Sequence, residues 1–126
     1  MRIEHIAILT RDIDTLCEFY AKHFGCAVGP RYTNASKGFS SRFLKFQDGA
    51  RLEVMQLSSL GDAVEGNRVG LAHFAVSVGS EDQVLQMTAA LRQAGVEVVG
   101  EPRRTGDGYF ESVVLDPDGN KVEITV

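Results

Sequence analysis

The chain has no tryptophan, only two cysteines and three prolines, and no surplus of positive charge. Each shortage removes a class of protein. Two thiols in 126 residues, Cys17 and Cys26, cannot build a disulfide framework, and their spacing matches no zinc motif. Reduced thiols in a cytoplasmic protein are the simpler expectation. A formal charge of −4 with no basic cluster argues against a nucleic-acid partner. No apolar run approaches membrane-span length, and Met-Arg-Ile-Glu-His carries no signal-peptide pattern, so no membrane partner is expected. The glycines of Gly106-Asp-Gly108 are not followed by the Lys-Ser or Lys-Thr of a phosphate loop. Length and an ordinary apolar content leave a single globular domain over 1–126.

What is present is a repeat. His5-Ile-Ala-Ile, an amphipathic stretch ending at Gly25, and Asp48-Gly-Ala-Arg-Leu-Glu53 are echoed by His73-Phe-Ala-Val, a stretch ending at Gly95, and Asp118-Gly-Asn-Lys-Val-Glu123. The histidines stand 68 positions apart and the glutamates 70. Hydrophobic periodicity reads each copy as strand–helix–strand–strand–strand. In the first, Arg2–Leu9 is a strand. Asp12 caps a helix with Ile13, Leu16, Phe19, Tyr20 and Phe24 on one face, and Gly25 ends it. A turn-rich region over 29–41 precedes a hairpin of Arg42–Phe46 and Arg51–Leu57. In the second, Leu71–Val78 is a strand, Ser80 and Gln83 box the start of a helix burying Val84, Met87, Leu91 and Ala94, and Val96–Val99 is a short strand. Tyr109–Leu115 and Lys121–Val126 make the last hairpin. Module one is expected over about 1–57, a polar linker over about 58–70, and module two over about 71–126.

Duplication alone is usually architectural, because a small unit needs a second to cover its apolar face. That explains the helices and strands but not Glu53 and Glu123, which sit inside Leu-Glu-Val and Val-Glu-Ile. A carboxylate in such a strand is costly without a cation or hydrogen bonds. Alternation places His5 on one face with Ile3 and Ala7, and His73 beside Ala75, where small neighbours leave room. Two imidazoles and two carboxylates, His5, Glu53, His73 and Glu123, have the composition of a divalent metal site. His23, on the polar side of its helix, Met55, Met87 and the Phe19-Tyr20 pair are read as structural.

Those residues, with Gly70-Leu-Ala-His-Phe-Ala-Val76 and Leu115-Asp-Pro-Asp-Gly-Asn-Lys-Val-Glu123, resemble the vicinal oxygen chelate superfamily and its glyoxalase I-like members over essentially the whole chain. The resemblance implies an α+β fold of two tandem βαβββ modules, their strands forming a curled mixed sheet around a metal cavity with helices outside. It implies His5, Glu53, His73 and Glu123 as ligands of one divalent ion, with Zn, Ni, Co, Mn and Fe all compatible. It implies a lyase or isomerase that stabilises an enediolate of a small α-oxo substrate or its thiol adduct, with Glu123 first and Glu53 second as the base. A homodimer is also implied, in which each site is built within one chain or across two.

Two positions depart from glyoxalase I. Leu9 stands where an arginine commonly helps hold glutathione, and Leu57 where an asparagine does, which counts against glutathione as the thiol carrier. For substrate contacts, Arg103, Arg104 and Tyr109 lie in a glycine-rich stretch suited to a carboxylate or phosphate. Solvation explains exposed arginines there equally well. Arg42 and Glu111 are further candidates whose facing turns on a register uncertain by one residue. The alternatives are an epimerase, an epoxide-opening enzyme, a less favoured extradiol dioxygenase, or a non-enzymatic antibiotic-binding protein.

Overall fold

A computed structural model describes residues 1–61 and 69–126. The chain divides into two compact units, Met1–Val64 and Glu65–Val126. Much of the expected linker falls outside the described residues.

In the first unit, strand β1 (His5–Leu9) leads into helix α1 (Ile13–Phe24). Asp12 caps the helix, its carboxylate accepting from the backbone N–H groups of Asp14 and Thr15. Gly25 closes it with φ of 66°, a left-handed conformation that glycine adopts without strain. Four strands follow: β2 (Ala27–Val28), β3 (Tyr32–Asn34), β4 (Phe39–Lys45) and β5 (Arg51–Leu57). The sheet runs β1-β5-β4-β2, with β3 also on β4; β1 is parallel to β5 and the other pairs are antiparallel. The turn-rich region thus holds a short strand and a single 3₁₀ turn, Ala35–Lys37, capped by Asn34. The turn residues hid this strand because it is only three residues long and pairs locally with β4 across the 3₁₀ turn.

The second unit repeats the plan: β6 (Phe74–Ser77), α2 (Glu81–Gln93), β7 (Val98–Arg104), β8 (Phe110–Leu115) and β9 (Lys121–Thr125). Its sheet order is β6-β9-β8-β7, with β6 parallel to β9. Ser80 caps α2 through Gln83 N–H. The buried face of α2 is Val84, Thr88 and Leu91, not the fully apolar stripe expected. Thr88 satisfies its hydroxyl by donating to Val84 O at 2.6 Å and meeting Ser112 Oγ of β8 at 2.6 Å.

Each helix covers one face of its own sheet. Leu44, Leu52 and Val54 are buried with Leu16 and Tyr20 in the first unit, and Val114, Val122 and Ile124 with Val84 and Leu91 in the second. Alternation therefore sends Glu53 and Glu123, each between two buried neighbours, to the face away from the helix. The expected α+β class and its strand–helix–strand plan are observed.

Candidate functional site

Register brings each histidine to its glutamate. In the first unit Ala7 of β1 pairs with Glu53 of β5, so His5 sits two residues upstream on the same face. His5 Nε2 lies 3.8 Å from Glu53 Oε2. In the second, Ala75 pairs with Glu123, and His73 Nε2 lies 3.3 Å from Glu123 Oε2. Small Ala7 and Ala75 leave both carboxylates uncrowded. The glutamate side chains are about one-seventh exposed, while the imidazoles are nearly half exposed.

The two pairs have different surroundings. His5 is flanked by Glu4, whose Oε2 accepts from Nδ1 at 2.7 Å, and by the Phe43 ring, edge-on at 5.4 Å between centroids. Arg51 holds the other oxygen of Glu4 at 2.6 Å. This guanidinium, with His5, lowers the Glu4 carboxyl to about 2. Around His73 and Glu123 lies a cleft of about 360 Å³, lined also by Thr105, Asp107, Tyr109 and Glu111. Burial raises the Glu123 carboxyl above the ordinary range; the neighbouring Glu111 charge adds to this and His73 opposes it.

Sequence reasoning missed Glu4, Arg51, Thr105 and Asp107. An acid directly before His5 and an arginine two residues before Glu53 were the available signals for the first two.

The substrate candidates separate by face. Arg103 pairs with Glu111 in the β7–β8 ladder, and its Nη2 lies 3.6 Å from Glu111 Oε1. Arg104 faces the other way: it pairs with Phe110, contacts Glu81 in the first turn of α2, and donates to Gly108 O at 3.0 Å. Arg42 is likewise turned from the site face. It pairs with buried Val54, and its Nη2 lies 3.7 Å from Asp14 at the start of α1. One residue of register decides both cases. Arg103 and Arg104 lie in β7, which runs beyond the short strand over 96–99 expected from the sequence. The strand continues past Pro102, and its register against β8 shifts twice, between Val98 and Gly100 and again, by one extra residue, between Gly100 and Arg103. That extra residue sets Arg103, instead of Pro102, opposite Glu111. Tyr109 closes the turn before β8, with its N–H donating to Thr105 Oγ1 at 3.0 Å.

The donor sets can be tested against a cation. Two ligands each about 2.1 Å from one ion, at angles between square and tetrahedral, stand about 3.0–3.4 Å apart. The His73–Glu123 pair meets this spacing, and the His5–Glu53 pair needs a few tenths of an ångström of closure. Among the described residues, no group of three or more His, Cys, Asp or Glu side chains forms a metal-holding cluster. Each unit holds one His–Glu pair.

A family model described as "Glyoxalase/Bleomycin resistance protein/Dioxygenase superfamily" matches residues 2–124, and the chain belongs to that superfamily. A trivalent organoarsenical cleaving enzyme of Bacillus sp. (strain MD1) is 28% identical over 129 residues, covering 98% of this chain and 71% of the relative. The fold matches a glyoxylase/bleomycin resistance protein/dioxygenase domain from Frankia sp. EAN1pec, with a TM-score of 0.85, 19% identity and coverage of 98% and 95%. It also matches glyoxalase I from Zea mays, with a TM-score of 0.82 and 20% identity. The match covers 98% of this chain but only 44% of the maize chain.

Proposed function

We propose that the protein is a metal-dependent enzyme of glyoxalase I type, a lyase or isomerase that moves a proton beside the carbonyl of a small α-oxo compound or its thiol adduct. The carrying observation is the repeated pair: one imidazole nitrogen within 4 Å of one carboxylate, on the helix-free face of the sheet, in both units. The ligands are His5 and Glu53 from the first unit and His73 and Glu123 from the second. A bound divalent ion supplies Lewis acidity toward the substrate oxygens, which makes the neighbouring proton removable. Zn, Ni, Co, Mn and Fe all suit a donor set of two imidazoles and two carboxylates.

Glu123 is the proton carrier in this reading. Burial and the neighbouring Glu111 charge raise its carboxyl, which suits it to accept a proton. Glu53 has Phe43 opposite it in the β4–β5 ladder, where Glu123 has a second carboxylate nearby. Arg103 and Tyr109 are the substrate contacts, Arg103 as the cation beside the cleft and Tyr109 as an aromatic wall. Arg104 and Arg42 are left out because they face the helices. Leu9, which shares the face of His5 by alternation and is 46% exposed, offers no hydrogen bond to a tripeptide carboxylate. The thiol carrier is therefore taken to be other than glutathione, and the working form to be a homodimer.

The test joins metal content with one substitution. Elemental analysis of the purified protein should find a stoichiometric divalent metal. Glu123→Gln should keep that metal while lowering turnover of methylglyoxal–thiol adducts at least 10²-fold. A fully active Glu123→Gln variant would refute the assignment. Stoichiometric absence of metal would favour an antibiotic-binding protein instead. The organoarsenical-cleaving relative supplies a second enzymatic reading, cleavage of a trivalent organoarsenical at the same residues, which an assay of that substrate separates from proton transfer.

A further inference from the structure

The two histidines are not held alike, and the difference traces to a residue outside the ligand set. Glu4 directly precedes His5, yet its side chain is fixed from across the sheet. Arg51, on the neighbouring strand, donates from Nε to Glu4 Oε1 at 2.8 Å, and its Nη2 lies 2.6 Å from the same oxygen. The guanidinium is itself placed: its central carbon lies 4.0 Å from the centroid of the Phe43 ring, and the Arg51 N–H donates to Glu4 O at 3.0 Å. The free carboxylate oxygen, Oε2, meets His5 Nδ1 at 2.7 Å. A carboxylate paired with a guanidinium only accepts hydrogen bonds, so the hydrogen in this contact belongs to Nδ1. The lone pair of the neutral ring is then on Nε2, the nitrogen that faces Glu53.

The second unit lacks this arrangement. Ala72 occupies the place of Glu4 in the repeat and Lys121 that of Arg51. Alanine offers no acceptor to the ring of His73.

We propose that Glu4, clamped by Arg51, is a positioning residue that selects the Nδ1–H tautomer of His5 and presents Nε2 as the donor atom. The first unit then carries a pre-set imidazole and the second an adjustable one. A carboxylate behind a ligating imidazole fixes ring orientation and raises its basicity, and loss of such a partner typically costs about 10–100-fold in metal affinity. The purpose of the device rests on the metal reading, but its existence is measurable without metal.

Long-range proton–nitrogen correlation spectra of the metal-free protein at about pH 8, where free imidazole is neutral, distinguish the two tautomers. Wild-type His5 should show protonated Nδ1 and bare Nε2. Glu4→Gln should retain that signature, since an amide oxygen still accepts from Nδ1. Glu4→Ala should lose it while the His73 pattern stays unchanged. An Nε2–H tautomer in the wild type, or a His5 pattern indifferent to Glu4→Ala, overturns the proposal. Chelator competition with Zn²⁺ supplies the second reading: Glu4→Ala should bind about 10–100-fold more weakly, with Glu4→Gln closer to wild type. A wild-type protein that binds no zinc defeats the metal reading alone, because the tautomer is assigned on metal-free samples.

Discussion

Glu53 and Glu123 are interchangeable on paper: each follows an apolar residue, precedes another, and lies in the last strand of its unit. Their neighbours make them different groups. Glu123 has Glu111 diagonally across the β8–β9 ladder and Asp107 nearby, so its charged form is disfavoured; Glu53 has Phe43 opposite. The thiols show the same dependence on surroundings. Burial raises both, Cys26 to about 11 and Cys17 above its ordinary value although Arg42 opposes the shift. At pH 8 the reactive thiolate is therefore scarce, and the folded protein should react with an aromatic disulfide reagent far more slowly than the urea-unfolded chain, which should titrate two thiols. The sign for stability follows. A raised folded pKa leaves stability intact below the unfolded thiol range, about 8.5, and removes it as pH climbs toward about 11. Rapid titration of both thiols in the native state would contradict the burial of Cys17 and Cys26.

At the scale of elements, the caps were readable and the close approaches were not. Asp12, Gly25 and Ser80 signal helix ends through chemistry local to a few residues, and all three act as read. Gly38 gives no such signal. It follows the 3₁₀ turn with φ of 57°, and a Cβ there would lie 2.1 Å from Ser58 Oγ and 2.8 Å from Ser58 Cβ. Its carbonyl also accepts from Ser58 N–H at 2.8 Å. Gly38→Ala should destabilise the fold by about 1–3 kcal/mol, read as a lower urea midpoint with unchanged slope. Thr88 was passed over because helical periodicity nominated Met87 and Ala94. Its hydroxyl is buried between α2 and β8, so Thr88→Val keeps the shape but strands the Ser112 hydroxyl. A loss of about 1–3 kcal/mol is expected, and Thr88→Val with Ser112→Ala together should recover part of it. Full additivity of the two losses would show that the hydroxyls do not interact.

For the whole molecule, repetition is the governing fact. Each unit covers one sheet face with its own helix, and on the other face His5, Ala7 and Leu9 of β1 and His73, Ala75 and Ser77 around β6 are exposed. No helix among the described residues is long and apolar enough to cross a membrane. If the proposed homodimer is the working form, the protein should elute at twice its monomer mass on sizing. Refolding a mixture of His5→Ala and Glu123→Ala chains then reports the source of the donors. Activity restored to roughly a quarter of wild type marks sites that draw one pair from each chain, since half the dimers carry one intact site of two. No recovery marks sites completed within single chains.

The sequence by itself determined the repeat, which the matching offsets of its histidines and glutamates display directly. It also determined the helix limits at Asp12, Gly25 and Ser80 and the faces of the strands bearing Glu53 and Glu123, because these follow from chemistry within a turn or two of chain. The tertiary structure decided what those faces meet: the bulge that sets Arg103 against Glu111, the register that turns Arg42 and Arg104 to the helices, and the Arg51–Glu4 contact behind His5. Hydrogen-bond register joins residues tens of positions apart, and a shift of one residue reverses every side chain on a strand. No local pattern in the chain encodes that choice.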